Sequence, residues 1–304
     1  MSFIIDAPKY GQEVLTRRTA FNNRVEALTK TMPTWDESPS PAEYRKWRAE
    51  GTNGFDAPVL DPMAFIVGIP SRYGTHTVSV RCISPPSASK GVFLHFHGAV
   101  SVEYRLAPEH PYPAGAEDCL SAALYCLSDE GTSRFQGPLR VIGGDSAGAY
   151  LTLWTTLRLR EQGVDVKEKI TSLILNYGVY DLGLTPSVRA HERSILLSKV
   201  HMQTFIDATF PPGTIPAHTL RSPEYSPLYA NLACLPPAFF MVGTEDPLLD
   251  DSLFLASRYY AAGNMTHLRI EAAAPHAFTI MPAGELRDHG VQAITGFLNS
   301  QVHL

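Results

Sequence analysis

The chain has 304 residues, 44% of them hydrophobic and 18% charged, with a net charge of −5. Such a chain can bury a sizeable core and is not intrinsically disordered, and an acidic balance without a Lys/Arg block excludes nucleic acid as its main partner. Four scattered cysteines (Cys82, Cys119, Cys126 and Cys234), none in a CxxC pair, form neither a disulfide framework nor a zinc site.

The opening residues, MSFIIDAPKYGQEVLTRR, lack the apolar centre of a signal peptide, and no run of ~18 apolar residues could span a bilayer. A soluble cytoplasmic protein is the default expectation. Residues 1–62 are polar and broken by Pro33, Pro39, Pro41, Pro58 and Pro62, with short helical patches such as 43–49. They read as a cap segment laid over something else. Strands are expected over 64–69 and 76–83; in the second, Val78, Val80 and Cys82 alternate with Thr77, Ser79 and Arg81, as an edge hairpin with one wet face requires. Continuous apolar runs follow at Val92–Phe96, 139–142, 170–175 and 238–242, with a mixed run at 265–270. Between them Ala116, Leu120, Ala123, Leu124 and Leu127 recur at helical spacing, as do Leu286, Ala293, Ile294, Phe297 and Leu298. A helix over 250–262 opens on two acids and is stopped by Gly263. Strands without polar alternation, separated by helices, predict an α/β fold whose mostly parallel sheet is covered on both faces. The proline-rich stretch 181–236 has no strand and reads as a cap insertion, leaving 63–180 and 237–304 as the core.

The sharpest local signal is Gly144-Asp145-Ser146-Ala147-Gly148, after a strand run and before a helical stretch. G-x-S-x-G at such a junction is a nucleophile elbow: the glycines permit a turn too sharp for a Cβ, and the serine oxygen projects at the helix N-terminus. There the Ala147 N–H can bind a developing oxyanion. A serine nucleophile needs a base, and the base an orienting acid. Asp246 and His276 both follow expected strands, at the sheet end where ligands collect. Glu245, Asp250 and Asp251 compete for the acid role, although Asp250 and Asp251 also suit a helix first turn. Asp246 is the preferred acid.

Together, His97-Gly98, the run from Tyr104 to Pro111 (Tyr-Arg-Leu-Ala-Pro-Glu-His-Pro), Gly144 to Gly148, Asp246-Pro247-Leu248 and His276-Ala277-Phe278 resemble, in order, the motifs of the hormone-sensitive-lipase family of α/β-hydrolases. The resemblance covers about residues 60–304. It implies an α/β-hydrolase fold with a helical cap, no metal or cofactor, and hydrolysis of small to medium carboxylic esters through an acyl-enzyme. Ser146, Asp246 and His276 take the roles of nucleophile, acid and base; Gly98 and Ala147 those of oxyanion-hole donors; His97, Gly144, Asp145 and Gly148 those of motif support. A non-catalytic, receptor-like binder and an amidase or lyase using the same site are the alternatives.

At one place the chain departs from that pattern. The family has three glycines after the histidine, then a helix and a strand before the tyrosine; here Gly98 is followed directly by Ala99-Val100-Ser101-Val102-Glu103-Tyr104. A crossover to a parallel strand needs about a dozen residues, and only Gly98-Ala99 separate the strand-like segments 92–97 and 100–104. An internal segment is therefore expected to be missing, the sheet to be a strand short or distorted there, and hydrolysis to be impaired.

Other residues carry weaker signals. His95 and His97 could share a strand face and hold a metal, but no third ligand is visible. Trp35, Trp47 and the Tyr259-Tyr260 pair suit packing, and Glu109 and His110 are expected to satisfy turn backbone groups. Gly143-Gly144 lacks the Lys and Thr of a phosphate loop.

Overall fold

Apolar runs with no polar alternation are satisfied only in strands covered on both sides, and the second half of the chain is built from them. The computed structural model describes residues 2–33, 37–52, 54–84, 90–96 and 102–301. The strands are β1 (Phe3–Asp6), β2 (Phe65–Pro70), β3 (Thr77–Cys82), β4 (Val92–Phe96), β5 (Val102–Glu103), β6 (Leu139–Asp145), β7 (Ser172–Asn176), β8 (Ala238–Glu245) and β9 (Thr266–Pro275). The helices are α1 (Gln12–Thr29), α2 (Pro41–Glu50), α3 (Ala114–Leu127), α4 (Asp129–Arg134), α5 (Ala147–Glu161), α6 (Val166–Lys169), α7 (Pro186–Ala190), α8 (Lys199–Thr209), α9 (Leu249–Ala261) and α10 (Glu285–Gln301).

Six strands form one sheet in the order β1-β9-β8-β7-β6-β4, every neighbouring pair parallel. Side chains divide between its faces by strand alternation. Leu173, Leu175 and Phe240 join the layer made by α3, α5 and α9, whereas Ile174, Phe239 and Met241 pack with Leu286 and Phe297 of α10. β7 is buried at every position and β8 over its first six. The sheet is thus a three-layer α/β core, as its apolar runs require.

β2, β3 and β5 form a separate antiparallel sheet. β3 pairs with β2 over six residues and with β5 over two, Ser79↔Glu103 and Val80↔Val102. Among the described residues no ladder joins β5 to β4. The segment expected as a strand over 100–104 pairs only at Val102 and Glu103, and residues 97–101 lie outside the described residues.

Part of the N-terminal segment, expected as a cap, belongs to the main sheet. β1 closes the far edge of the main sheet against β9, and α1 lies along β9. Neither element is visible to hydrophobic patterning, because the buried face of α1 is Arg18, Asn22 and Val25. Residues 181–236 carry α7, α8, two 3-10 turns and an isolated bridge between Ile195 and Leu197. They meet the N-terminal segment around a cavity of about 480 Å³ lined by Thr29–Pro33, Glu37, Ser194 and His201.

Candidate active site

β6 ends at Asp145 and α5 begins at Ala147, so Ser146 alone turns strand into helix. Its backbone sits at φ 57°, ψ −117°, a strained combination for a residue with a Cβ. The Ser146 N–H donates to the Asn176 carbonyl at 3.0 Å, tying the turn to β7. Gly144 is obligatory here: a Cβ would lie 2.4 Å from the Gly148 carbonyl and 2.4 Å from the Phe96 oxygen. Gly144, Asp145 and Gly148 are buried, Ser146 is partly exposed and Ala147 is exposed, so the turn presents the serine step to solvent. As the first residue of a 15-residue helix, Ala147 has an N–H without an i−4 partner within the helix, directed along the positive end of its dipole.

Asp246 is the first residue beyond β8 and His276 the first beyond β9; Glu245 and Pro275, the strands' last residues, pair in register. Adjacent parallel strands therefore deliver the two side chains side by side. Nδ1 of His276 lies 2.9 Å from Asp246 Oδ2, and its Nε2 lies 2.9 Å from Ser146 Oγ. The second carboxylate oxygen of Asp246 accepts the Leu248 N–H at 2.8 Å. A carboxylate only accepts, so Nδ1 carries the proton and Nε2 is left to accept from the hydroxyl. Both residues are buried. The arrangement can draw the proton off Oγ as it becomes a nucleophile, while the fixed carboxylate stabilises the imidazolium that results.

The competing acids are engaged elsewhere. Glu245 pairs with Arg193 at 3.0 Å, Asp250 accepts the Ser187 N–H, and Asp251 accepts the Tyr180 and Asp181 N–H groups and the Thr185 hydroxyl.

A polar layer missed by the motifs lies beneath. Tyr177, the first residue beyond β7, donates to Asp145 Oδ1 at 2.7 Å, meets Thr279 Oγ1 at 2.6 Å, and sets its ring edgewise against His276 with centroids 5.1 Å apart. Asp145 also accepts from Asn176 and bonds Nε2 of His95 at 2.8 Å. Burial pushes the Asp145 carboxyl up, but the bonds from His95, Tyr177 and Asn176 outweigh it and hold the group below the ordinary carboxylate range. The signal available for Tyr177 was position: it stands where Ser146, Asp246 and His276 stand, one residue past a strand.

His97 and Gly98 lie outside the described residues. Among those described, no group of three His, Cys, Asp or Glu could hold a metal ion. The expectation for Glu109 needs correcting: its carboxylate takes Arg45 of α2, at 2.6 and 2.9 Å, rather than turn backbone. Arg45 itself also donates to the Ala107 carbonyl, so the turn's acceptor is met by a cation from the N-terminal segment.

A family profile described as the alpha/beta hydrolase fold matches residues 97–280. The chain is 32% identical over 209 residues to carboxylesterase NlhH of Mycobacterium tuberculosis, a match covering 66% of this chain and 64% of that protein, so it spans just under two thirds of that relative's length. In architecture it is similar to a hyperthermophilic esterase of the archaeon Pyrobaculum calidifontis (TM-score 0.78, 21% identity, covering 93% of this chain and 98% of the other). It is also similar to brefeldin A esterase, a bacterial homologue of human hormone-sensitive lipase (TM-score 0.72, 19% identity, covering 97% and 94%). With five ordered motifs, a matching profile over more than half its length and this fold, the chain belongs to the hormone-sensitive-lipase family of alpha/beta hydrolases.

Proposed function

We propose that the protein is a serine hydrolase that cleaves small carboxylic esters through an acyl-enzyme. The observation that carries this reading is the continuous contact from Ser146 Oγ through the His276 ring to Asp246, 2.9 Å at each step. Ser146 Oγ bonds to the ester carbonyl carbon as its proton passes to Nε2 of His276. The tetrahedral intermediate collapses by breaking the bond to the alkoxy oxygen, which takes that proton and leaves as the alcohol. Water, deprotonated by the same nitrogen, then attacks the acyl-serine, and Ser146 recovers its proton as the acid departs. Asp246 holds the tautomer throughout. His276 carries every proton transfer, so the scheme calls on no cofactor.

The oxyanion falls to the Ala147 N–H at the start of α5 and to Gly98 beside His97. One such donor is worth roughly 10²–10³ in kcat, so the shortened connection at Gly98 sets the rate rather than the existence of the reaction. The similarity to a carboxylesterase supports an ester over an amide substrate. Four free cysteines and the lack, among the described residues, of a helix long and apolar enough to cross a membrane suit a cytoplasmic enzyme acting on dissolved esters.

A fluorophosphonate probe tests the reading directly. It should label Ser146, and Ser146→Ala should abolish labelling and lower p-nitrophenyl butyrate hydrolysis by at least about 10⁴-fold. Labelling at another serine, or full activity in the variant, would refute it.

A further inference from the structure

We infer that α1 is part of the active-site frame, and that Asn22 and Arg18 are positioning residues which set His276 by pinning a bulge in β9. The inference rests on the hydrolase reading for its kinetic consequences and on geometry alone for the rest.

β8 and β9 run in register through Gly243↔Glu271 and resume at Glu245↔Pro275. Three residues of β9, 272–274, therefore face the single residue Thr244. The extra length is absorbed at Ala273, whose φ is +54°, and it brings the Ala274 carbonyl so close to β8 that a Cβ on Gly243 would lie 2.0 Å from that oxygen. Bulges re-aim the chain beyond them, and two residues beyond this one stands His276. An unrestrained bulge with a left-handed alanine would slacken, because that conformation persists only where its surroundings impose it.

Three hydrogen bonds impose it. The Ala273 N–H donates to Thr244 Oγ1 at 2.8 Å, the Ala272 carbonyl accepts from Arg18 Nη1 at 2.8 Å, and the Ala273 carbonyl accepts from Asn22 Nδ2 at 3.0 Å. Arg18 and Asn22 stand one helical turn apart, on one face of α1, and both are almost wholly buried. Arg18 is itself fixed by paired bonds to Glu285 and a third to Glu271. Asn22 is the more telling of the two. Its Oδ1 is buried and finds no partner among the described residues, which makes it a poor choice for packing alone. What an asparagine supplies here and an apolar side chain cannot is one N–H at the Ala273 carbonyl.

Three residues past Ala273 the His276 ring must meet two partners at hydrogen-bond distance, and misplacement by about 1 Å costs on the order of 10²-fold in rate. The test compares Asn22→Ala with Val25→Ala, a buried apolar neighbour on the same face of α1. Two quantities are read well below each variant's melting temperature: kcat and KM for p-nitrophenyl butyrate, and the far-downfield proton resonance of His276 Nδ1–H against Asp246. Asn22→Ala should lower kcat 10- to 100-fold with KM within about twofold, and should weaken or erase the resonance. Val25→Ala should lower the melting temperature and leave both readouts intact. If the two variants behave alike, α1 merely stabilises the fold and the inference falls. Should Asn22→Ala fail to fold, Thr244→Val at its exposed site removes the acceptor of the Ala273 N–H; a several-fold fall in kcat and a shifted resonance support the inference, and wild-type behaviour overturns it. Failure of fluorophosphonate to label the wild-type chain would instead refute the hydrolase reading, and the resonance would still decide the role of Asn22.

Discussion

From β6 to β9 the chain passes between parallel neighbours through helices: α5 and α6 before β7, α7 and α8 before β8, α9 before β9. From β4 to β5 it has five residues. A parallel crossover needs about a dozen, and the two regions differ accordingly. The first is a run of parallel ladders, interrupted by the bulge opposite Thr244, whose strand ends bring Ser146, Tyr177, Asp246 and His276 together; in the second, β5 is two residues long and pairs only with β3 among the described residues. The proposed proton relay comes wholly from the helix-connected region, whereas one of the two expected oxyanion donors, Gly98, belongs to the short connection after β4. Nucleophile activation and anion binding can therefore fail separately in this fold, and the proposed phenotype is a chain that a phosphonate labels but that turns over slowly.

The strongest way to break that contrast is to lengthen the second connection. Inserting a family-like loop and helix at Gly98/Ala99 should raise kcat/KM for p-nitrophenyl butyrate by about 10²–10³, the worth of one oxyanion donor; equal rates for the two chains would show that the short connection does no harm. Next in size, Gly144→Ala drives a Cβ into backbone on two sides of the elbow and should cost about 3 kcal/mol in a denaturant titration, so a loss below about 1 would mean that the turn is more pliant than its contacts imply. Asp145→Asn sharpens the picture of the layer below the elbow, replacing an acceptor of three bonds at a cost of about 2 kcal/mol. Because the folded state holds that carboxyl below its ordinary value, the stabilisation is present above the normal carboxylate range and is lost in stronger acid. The gap between wild type and variant should narrow there. Smallest is Glu26→Gln, at about 1 kcal/mol for a partly exposed pair. Arg193 and Lys30 lower the Glu26 carboxyl from 4.5 to about 2, so its contribution is complete above 4.5 and disappears as pH falls toward 2. Melting curves across that window check whether the two chains converge.

The parallel core and the elbow were legible because each depends on local pattern: apolar runs for doubly covered strands, and two glycines around a serine where strand meets helix. Asp246 and His276 were legible by position and motif. Tyr177 obeys the same positional rule but belongs to no motif, and its partners Asp145 and Thr279 are distant in sequence. In the sequence α1 is indistinguishable from polar surface chain, since a helix that buries arginine and asparagine mimics a solvated one until the carbonyls it serves are known. β1 has four residues, two of them exposed isoleucines at a sheet edge, too few to show a period. The Arg45–Glu109 pair joins residues 64 positions apart, beyond any local signal.

The pairing of β1 with β9 also sets a timetable. Phe3 pairs with Thr266, which is synthesised about 260 residues after it, a delay on the order of 10–50 s at ribosomal rates of ~5–20 residues per second. For all of that time Ile4, Ile5 and the buried face of α1 have no β9 to dock on. That edge of the sheet closes only when β9 emerges, so the helix that pins the β9 bulge and the histidine it aims reach their places together.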